Sequence, residues 1–163
     1  MRVAVVGCGN IGSKRVLALG KDKQSKIKAI VGRKILSKKI DSLGYKISKK
    51  IKCSYYTNID KILTKNIDAV ILSTQPNVFL KFGKKILQSK KHLLIEKPLG
   101  LNLREAHILI KIAKKNKVFL KTGFNLRFDD GIQLAKKLFD KKILGKIYFI
   151  KIDYVNGTAK TNK

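Results

Sequence analysis

The chain is 163 residues long, 44% of them hydrophobic, and carries a formal net charge of +28. That length suits one full domain and the beginning of another. No apolar run reaches the roughly 18 residues of a membrane span, and no signal-peptide pattern precedes the first apolar segment. We therefore expect a cytoplasmic protein without a membrane partner.

Lysines carry most of the positive charge and recur singly or in pairs along the whole chain. Arms and tails that bind nucleic acid usually concentrate their basic residues in blocks, so this pattern argues against a specific nucleic-acid partner. A diffuse basic surface still attracts polyanions at low salt. Cys8 and Cys53 belong to no CxxC motif or Cys/His cluster, which predicts neither a metal site nor a disulfide framework.

The first predicted elements are a strand, a glycine-rich turn and a helix. The apolar run RVAVVG (2–7) predicts a buried strand, and NIGSKRVLALG (10–20) resumes with helical spacing. Between them, Gly7, Gly9 and Gly12 have the GxGxxG spacing that permits a tight turn, close approach of a pyrophosphate and close packing of helix on strand. The alternative is a glycine turn without a ligand.

The start of the predicted helix completes this candidate site. Asn10 and Ile11 lie within the turn, where a helix N-terminus presents free backbone N–H groups and a partial positive charge. Such a terminus favours phosphate, so the segment predicts binding of a dinucleotide cofactor.

The end of the second predicted strand bears on which cofactor is bound. NAD enzymes usually place an acidic residue there for the ribose 2′-hydroxyl, but KIKAIVG (26–32) is followed by Arg33 and Lys34. Two cations and no acid favour a 2′-phosphate, and therefore NADP over NAD. The alternative is that both are ordinary surface cations of a lysine-rich chain.

Further strand-like runs alternate with amphipathic segments in the rest of the chain. In the helix that follows residue 102, Asn102 and Glu105 have the spacing of a capping box. Alternating strands and helices predict an α/β fold, a doubly wound parallel Rossmann sheet with helices on both faces. We expect this dinucleotide-binding domain over residues 1–122 and the first helix and strand of a second domain over residues 123–163. The runs are 51–56, 68–74, 92–96 and 118–123.

Four motifs in order resemble the Gfo/Idh/MocA oxidoreductases: GCGNIG (7–12), STQPN (73–77), IEKPLG (95–100) and GFNLRF (123–128). The resemblance implies an NAD(P)-dependent enzyme that transfers hydride between a nicotinamide and a hydroxyl or keto carbon of a sugar, inositol or nucleotide-sugar substrate. It also implies that a full-length form is a homo-oligomer.

The same resemblance assigns roles to individual residues. Lys97 would lie at the nicotinamide and the reacting substrate carbon, and Glu96 near the nicotinamide ribose. A lysine there can accept the proton of a hydroxyl or anchor that hydroxyl by a hydrogen bond, and Pro98 would fix its backbone through a trans or a cis bond. Asn125 and Arg127 would face the substrate. The residues expected to line the cofactor after the fourth strand are Ser73, Thr74, Gln75, Pro76 and Asn77.

Two departures from the family pattern accompany the resemblance. Leu80 stands where family members often have a histidine, and neither His92 nor His107 can be assigned the histidine that commonly assists the lysine. The family also continues through a larger second domain, so we expect this chain to be a fragment, a split gene product or a short form.

Two segments near the end of the sequence have apolar faces that need a partner surface. The alternation in YFIKIDYV (148–155) predicts a half-buried strand, and Phe128, Ile132, Ala135 and Phe139 form a helical stripe that needs a surface to cover. Two alternatives to the enzyme remain open: a dinucleotide-binding fragment without catalysis and, less favoured, a polyanion-binding basic protein.

Overall fold

The computed structural model describes residues 1–33 and 43–153. The chain divides into two compact units, Met1–Phe124 and Asn125–Lys163. The domain boundary expected from the sequence, between residues 122 and 123, lies two positions from this division.

The first unit is built on a six-stranded parallel sheet with the strand order β3-β2-β1-β4-β5-β6. This is the doubly wound order of a Rossmann fold, as the sequence predicted. The strands are β1 Arg2–Val6, β2 Lys26–Val31, β3 Ser54–Tyr56, β4 Ala69–Leu72, β5 His92–Ile95 and β6 Leu120–Thr122. The helices of this unit, within the described residues, are α1 Asn10–Lys21, α2 Leu43–Lys50, α3 Asp60–Leu63, α4 Phe79–Gln88 and α5 Leu103–Lys115.

Successive side chains of β1 point to opposite faces of the sheet, and each face is covered. Ala4 and Val6 belong to the larger core cluster, beneath α4 and α5, where Phe79, Ile86, Leu87 and Leu109 are fully buried. Val3 and Val5 belong to the second cluster, with Val16 of α1. A strand buried on both faces reads as a continuous apolar run, which explains why RVAVV shows no polar alternation.

The start of α5 bears out the predicted cap. The Asn102 side chain accepts a hydrogen bond from the Glu105 backbone N–H at 3.0 Å. The Glu105 carboxylate accepts from the Leu101 backbone N–H at 2.9 Å, one residue earlier than in a standard capping box.

The second unit contains a 3₁₀ turn, Asn125–Phe128, and helix α6, Asp130–Asp140. Asp129 caps α6 by accepting from the Gly131 and Ile132 backbone N–H groups at 3.0 and 3.2 Å. The strand predicted over 148–155 is wrong for 148–153, which form no strand, and the remaining two positions lie outside the described residues. A strand is defined by its hydrogen-bonded neighbour, and within the described ranges this segment has none.

Candidate functional site

The carboxyl ends of all six strands line up along one edge of the sheet. The backbone N–H that follows a strand donates to the last carbonyl of the strand beside it in the sheet. The five bonds, at 2.8–3.0 Å, are Gly7 to Val31, Gly32 to Tyr56, Ser73 to Val6, Glu96 to Leu72 and Gly123 to Ile95. Ligands of doubly wound folds bind at this edge, where the strand order reverses between β1 and β4. Most of the candidate residues predicted from the sequence follow these strand ends.

The glycines of the first turn have three different environments. Gly7 has φ +84°, and a Cβ built on it would lie 2.5 Å from the Ser73 carbonyl oxygen. A Cβ on Gly12 would lie 2.0 Å from the Gly7 carbonyl oxygen, whereas nothing lies within 4 Å of one on Gly9. Gly7 and Gly12 therefore let backbone pack against backbone, and Gly9 leaves open space above the turn.

Helix α1 begins in that open space. Gly9 is its N-cap residue, with no side-chain cap, and the first turn has no acidic residue. The backbone N–H groups at Asn10 and Ile11 belong to the first turn, which has no intrahelical acceptors. The helix start therefore offers donors and a partial positive charge suited to a phosphate.

The segment after β4 carries two buried hydroxyls without hydrogen-bond partners among the described residues, Ser73 Oγ and Thr74 Oγ1. They lie beside the glycine turn: a Cβ on Gly7 would be 2.8 Å from Thr74 Cγ2. Leaving a buried hydroxyl unpaired costs about 1–3 kcal/mol, so a polar ligand at this edge would be stabilising. The residues present thus fit a dinucleotide.

The rest of this segment forms a short connection into α4. Gln75 is extended, and Pro76–Val78, which includes Asn77, forms a single 3₁₀ turn. Leu80, at the position where the family often has a histidine, is half-buried and packs against the larger core cluster. Its role here is packing.

The segment after β5 presents Lys97. The Lys97–Pro98 peptide bond is cis. The Lys97 side chain is exposed and has no hydrogen bond or ion pair within the described part of the chain. The Glu96 carboxylate instead accepts from Nε of Arg15, on α1, at 2.7 Å. Sequence reasoning missed Arg15, because its partner lies 81 positions away.

The end of β2 is held by a tyrosine that the sequence did not single out. The Tyr55 hydroxyl, on β3, donates to the Arg33 backbone carbonyl at 2.9 Å, and a Cβ built on Gly32 would lie 2.2 Å from the same hydroxyl. The Arg33 side chain is exposed. Lys34, the second predicted phosphate reader, lies outside the described residues.

The two predicted substrate residues lie in the second unit. Asn125 and Arg127 are exposed on the 3₁₀ turn, and the Arg127 backbone carbonyl accepts a hydrogen bond from the Gln133 side chain. Their predicted contact with a substrate stays a prediction.

Other candidate chemistry is limited in the described ranges. No group of three His, Cys, Asp or Glu side chains could hold a metal ion. Burial raises the pKa of the Cys8 thiol, in the glycine turn, so Cys8 remains a neutral packing residue. His92 Nδ1 accepts from the Phe119 backbone N–H at 3.1 Å, a structural role. None of the described helices is long and apolar enough to span a bilayer.

The Gfo/Idh/MocA family model, described as an oxidoreductase family with an NAD-binding Rossmann fold, matches residues 1–124. The chain belongs to this family. The chain is 30% identical to a myo-inositol 2-dehydrogenase from Thermotoga maritima over 93% of its length and 44% of the relative's. It is 28% identical to a 2,7-anhydro-N-acetylneuraminate hydratase from Escherichia coli over 64% of its length and 28% of that relative's.

Solved structures give the same family fold. A probable dehydrogenase from Thermotoga maritima superposes with a TM-score of 0.80 at 29% identity, over 90% of this chain and 43% of that one. A myo-inositol 2-dehydrogenase from Lactobacillus plantarum gives 0.79 at 27%, over the same shares of the two chains. The chain thus spans less than half the length of these relatives.

Proposed function

We propose that this chain binds a nicotinamide dinucleotide at the carboxyl edge of its sheet and serves hydride transfer to or from a sugar- or inositol-type substrate. The observation that carries the proposal is the pair of unpartnered buried hydroxyls, Ser73 Oγ and Thr74 Oγ1, beside an uncapped helix start. A polar ligand at this edge would give both hydroxyls a hydrogen-bond partner.

In this proposal, the segments that follow successive strands bind different parts of the cofactor and substrate. The first turn of α1, from Gly9 to Gly12, would hold the pyrophosphate, and the segment 73–77 would line the nicotinamide half. The bound cofactor supplies a carbon that accepts or donates hydride. Lys97 would bind the substrate hydroxyl through its amino group and exchange the hydroxyl proton as the carbon is oxidised or the ketone is reduced.

A cyclic polyol or sugar is the proposed substrate class. The relative at 30% identity is named for myo-inositol oxidation, and another curated relative is named glucose-6-phosphate 3-dehydrogenase, from Bacillus subtilis, at 24% identity. The hydratase among the relatives shows that the family as a whole does not fix the net reaction. An exposed lysine suits a hydroxyl-rich substrate because an ammonium group supplies three hydrogen-bond donors.

NADP is the proposed form of the cofactor. A side chain at position 32 would meet the Tyr55 hydroxyl, so β2 cannot present an acid to the ribose from Gly32. The next residue, Arg33, has its backbone fixed by the same hydroxyl and an exposed guanidinium that can pair with a 2′-phosphate.

The cofactor preference is tested by titrating NADPH and NADH and following nicotinamide emission in wild type and Arg33→Ser. We expect about a tenfold loss of NADPH affinity, about 1.4 kcal/mol, with NADH affinity unchanged. Arg104→Ser, which removes an exposed arginine from α5, is the matched control for lost charge. Equal losses for both nucleotides in both variants would mean that only net charge matters.

Catalysis is tested separately, by adding myo-inositol and NADP⁺ and following nicotinamide absorbance. Lys97→Met should abolish turnover while leaving NADPH affinity within about twofold, because the side chain would act on the substrate. Saturable cofactor binding without turnover in the wild-type chain would favour the alternative, a dinucleotide-binding module without catalysis.

A further inference from the structure

The two charges of the Glu96-Lys97 pair are not paired with each other. The Glu96 carboxylate accepts from Arg15 Nε at 2.7 Å, and the two side chains are 15% and 29% exposed. Lys97 is exposed and has no ionic partner in the described residues. The arginine comes from the second turn of α1, the helix whose first turn is the proposed phosphate site.

The end of β6 leaves room for this ion pair. A Cβ built on Gly123 would lie 2.6 Å from Glu96 Oε2 and 3.1 Å from Arg15 Nη2. The Gly123 backbone N–H also donates to the Ile95 carbonyl at 2.8 Å, and the Glu96 N–H to the Leu72 carbonyl at 3.0 Å. Arg15 therefore holds the Glu96 carboxylate, and these two bonds hold the backbone of residues 95 and 96. No larger residue fits at position 123 without displacing the carboxylate.

Lys97, the residue next to Glu96, is the amino group that would compete with Arg15 for the Glu96 carboxylate. An amino group that pairs with a carboxylate is held in its protonated form, because a nearby opposite charge favours the charged state. An amino group held by its neighbouring carboxylate is also less available to bind a substrate hydroxyl or to exchange a proton with it. An arginine remains charged at all accessible pH values and so occupies the carboxylate continuously.

We propose that Arg15 is a positioning residue of the site: it engages Glu96, fixes the Glu96-Lys97 segment against α1, and keeps the Lys97 amino group free of its own neighbour. The inference rests on the proposed function for the role of Lys97. It concerns the chain without cofactor or substrate, so it can be tested whether or not turnover is observed.

The test is competitive acetylation of all lysines with a trace of acetic anhydride at pH 8, with the modification at each site measured by mass spectrometry. Arg15→Gln releases Glu96 to pair with Lys97, and the acetylation rate of Lys97 should fall about two- to fivefold, as for an exposed ion pair. The other exposed lysines should keep their rates. Arg104→Gln, on α5, is the matched control and should leave Lys97 unchanged.

The Glu96→Gln background separates positioning from general support of the fold. With the competing carboxylate gone, Arg15→Gln should no longer slow Lys97. Glu96→Gln alone should leave the Lys97 rate as in wild type, because Arg15 already holds that carboxylate. A faster Lys97 in Glu96→Gln would overturn the proposal, since it would mean that Glu96 and Lys97 are paired in the native chain.

A folding reporter is built into the same experiment. Lys91 is 7% exposed, and its amino group donates to the Lys65 and Ile67 carbonyls, both at 3.0 Å, so its acetylation is slow only in the folded chain. An unchanged Lys97 rate in Arg15→Gln with Lys91 still protected would also overturn the proposal. If Arg15→Gln loses that protection, the Glu96→Gln result decides. Failure of the proposed function has a separate signature, the absence of saturable NADPH binding.

Discussion

The two units of this chain have similar sequence patterns and opposite outcomes in burial. In the first unit, α4 places Phe79, Ile86 and Leu87 in the core with less than 2% exposure. In the second, α6 has an equally clear apolar stripe but no buried residue, and Ile132 and Phe139 are 46% and 56% exposed. An apolar face predicts that a helix will be covered, but only a neighbouring element covers it.

The difference lies in what each helix has beneath it. The parallel sheet supplies α4 with one face of closely packed aliphatic side chains. Within the described residues the second unit has no strand, and its exposed apolar residues include Tyr148, Phe149, Ile150 and Ile152. We therefore expect stability to depend mainly on the first unit, which also holds the proposed cofactor site, and four pairs of variants test that assignment.

The largest effect is expected from matched truncations of one isoleucine in each unit. Ile86→Ala removes a fully buried side chain from α4 and should lower the free energy of unfolding by about 2–5 kcal/mol. Ile132→Ala, on α6, should change it by less than about 0.5 kcal/mol. Urea unfolding followed by circular dichroism measures both, and equal effects would contradict the assignment.

Two alanine substitutions in the glycine turn should differ in their effect on stability, although both should weaken NADPH binding. Gly12→Ala forces a Cβ against the Gly7 carbonyl oxygen, which should cost about 1–3 kcal/mol and abolish NADPH binding. Gly9→Ala projects its Cβ into open space and should keep stability within about 0.5 kcal/mol, yet weaken NADPH binding at least tenfold. Thermal melts and nucleotide titrations of the same samples make the comparison, and tight NADPH binding by Gly9→Ala would count against the site.

A smaller change in stability is expected from removing the N-cap residue of one helix in each unit. Asn102→Ala removes the cap of α5 and should lower the unfolding free energy by about 1 kcal/mol, because α5 packs on the sheet of the first unit. Asp129→Ala removes the cap of α6 and should leave the main urea transition in place. A shift of the main transition by Asp129→Ala would show that α6 contributes to that cooperative unit.

The smallest effect on stability is expected from the Arg2–Asp68 ion pair, and it depends on pH. Hydrogen bonds and charge from Arg2 hold the pKa of Asp68 far below its usual range. Its folded pKa lies below its unfolded pKa of about 4, so its stabilising contribution is present above that value and is lost as the pH falls through the folded pKa. Urea midpoints of wild type and Asp68→Asn should therefore differ at pH 7 and converge in acid. Asp140→Asn, in the exposed Lys136 pair of α6, should match wild type throughout.

The sequence was sufficient for the features that depend on local pattern. The six strands, the glycine turn and the Asn102 cap follow from periodicity and spacing within a few residues, and the structure has them where they were expected. Arg15 with Glu96, and Tyr55 over Gly32, were not predictable, since each joins residues far apart in the chain through the strand order. The strand over 148–155 was predicted from alternation alone, which gives no information about a hydrogen-bonding neighbour.

The measurement that tests the central claim most directly is an NADPH titration of the whole chain, followed by nicotinamide emission at low salt and at about 0.5 M salt, where screening is nearly complete beyond a few ångström. The chain has no tryptophan, which keeps protein emission low. A dinucleotide site in the first unit predicts saturable binding that persists at high salt and is weakened at least tenfold by Gly9→Ala. Binding that disappears with salt and is indifferent to Gly9→Ala would contradict it and indicate a diffuse basic surface.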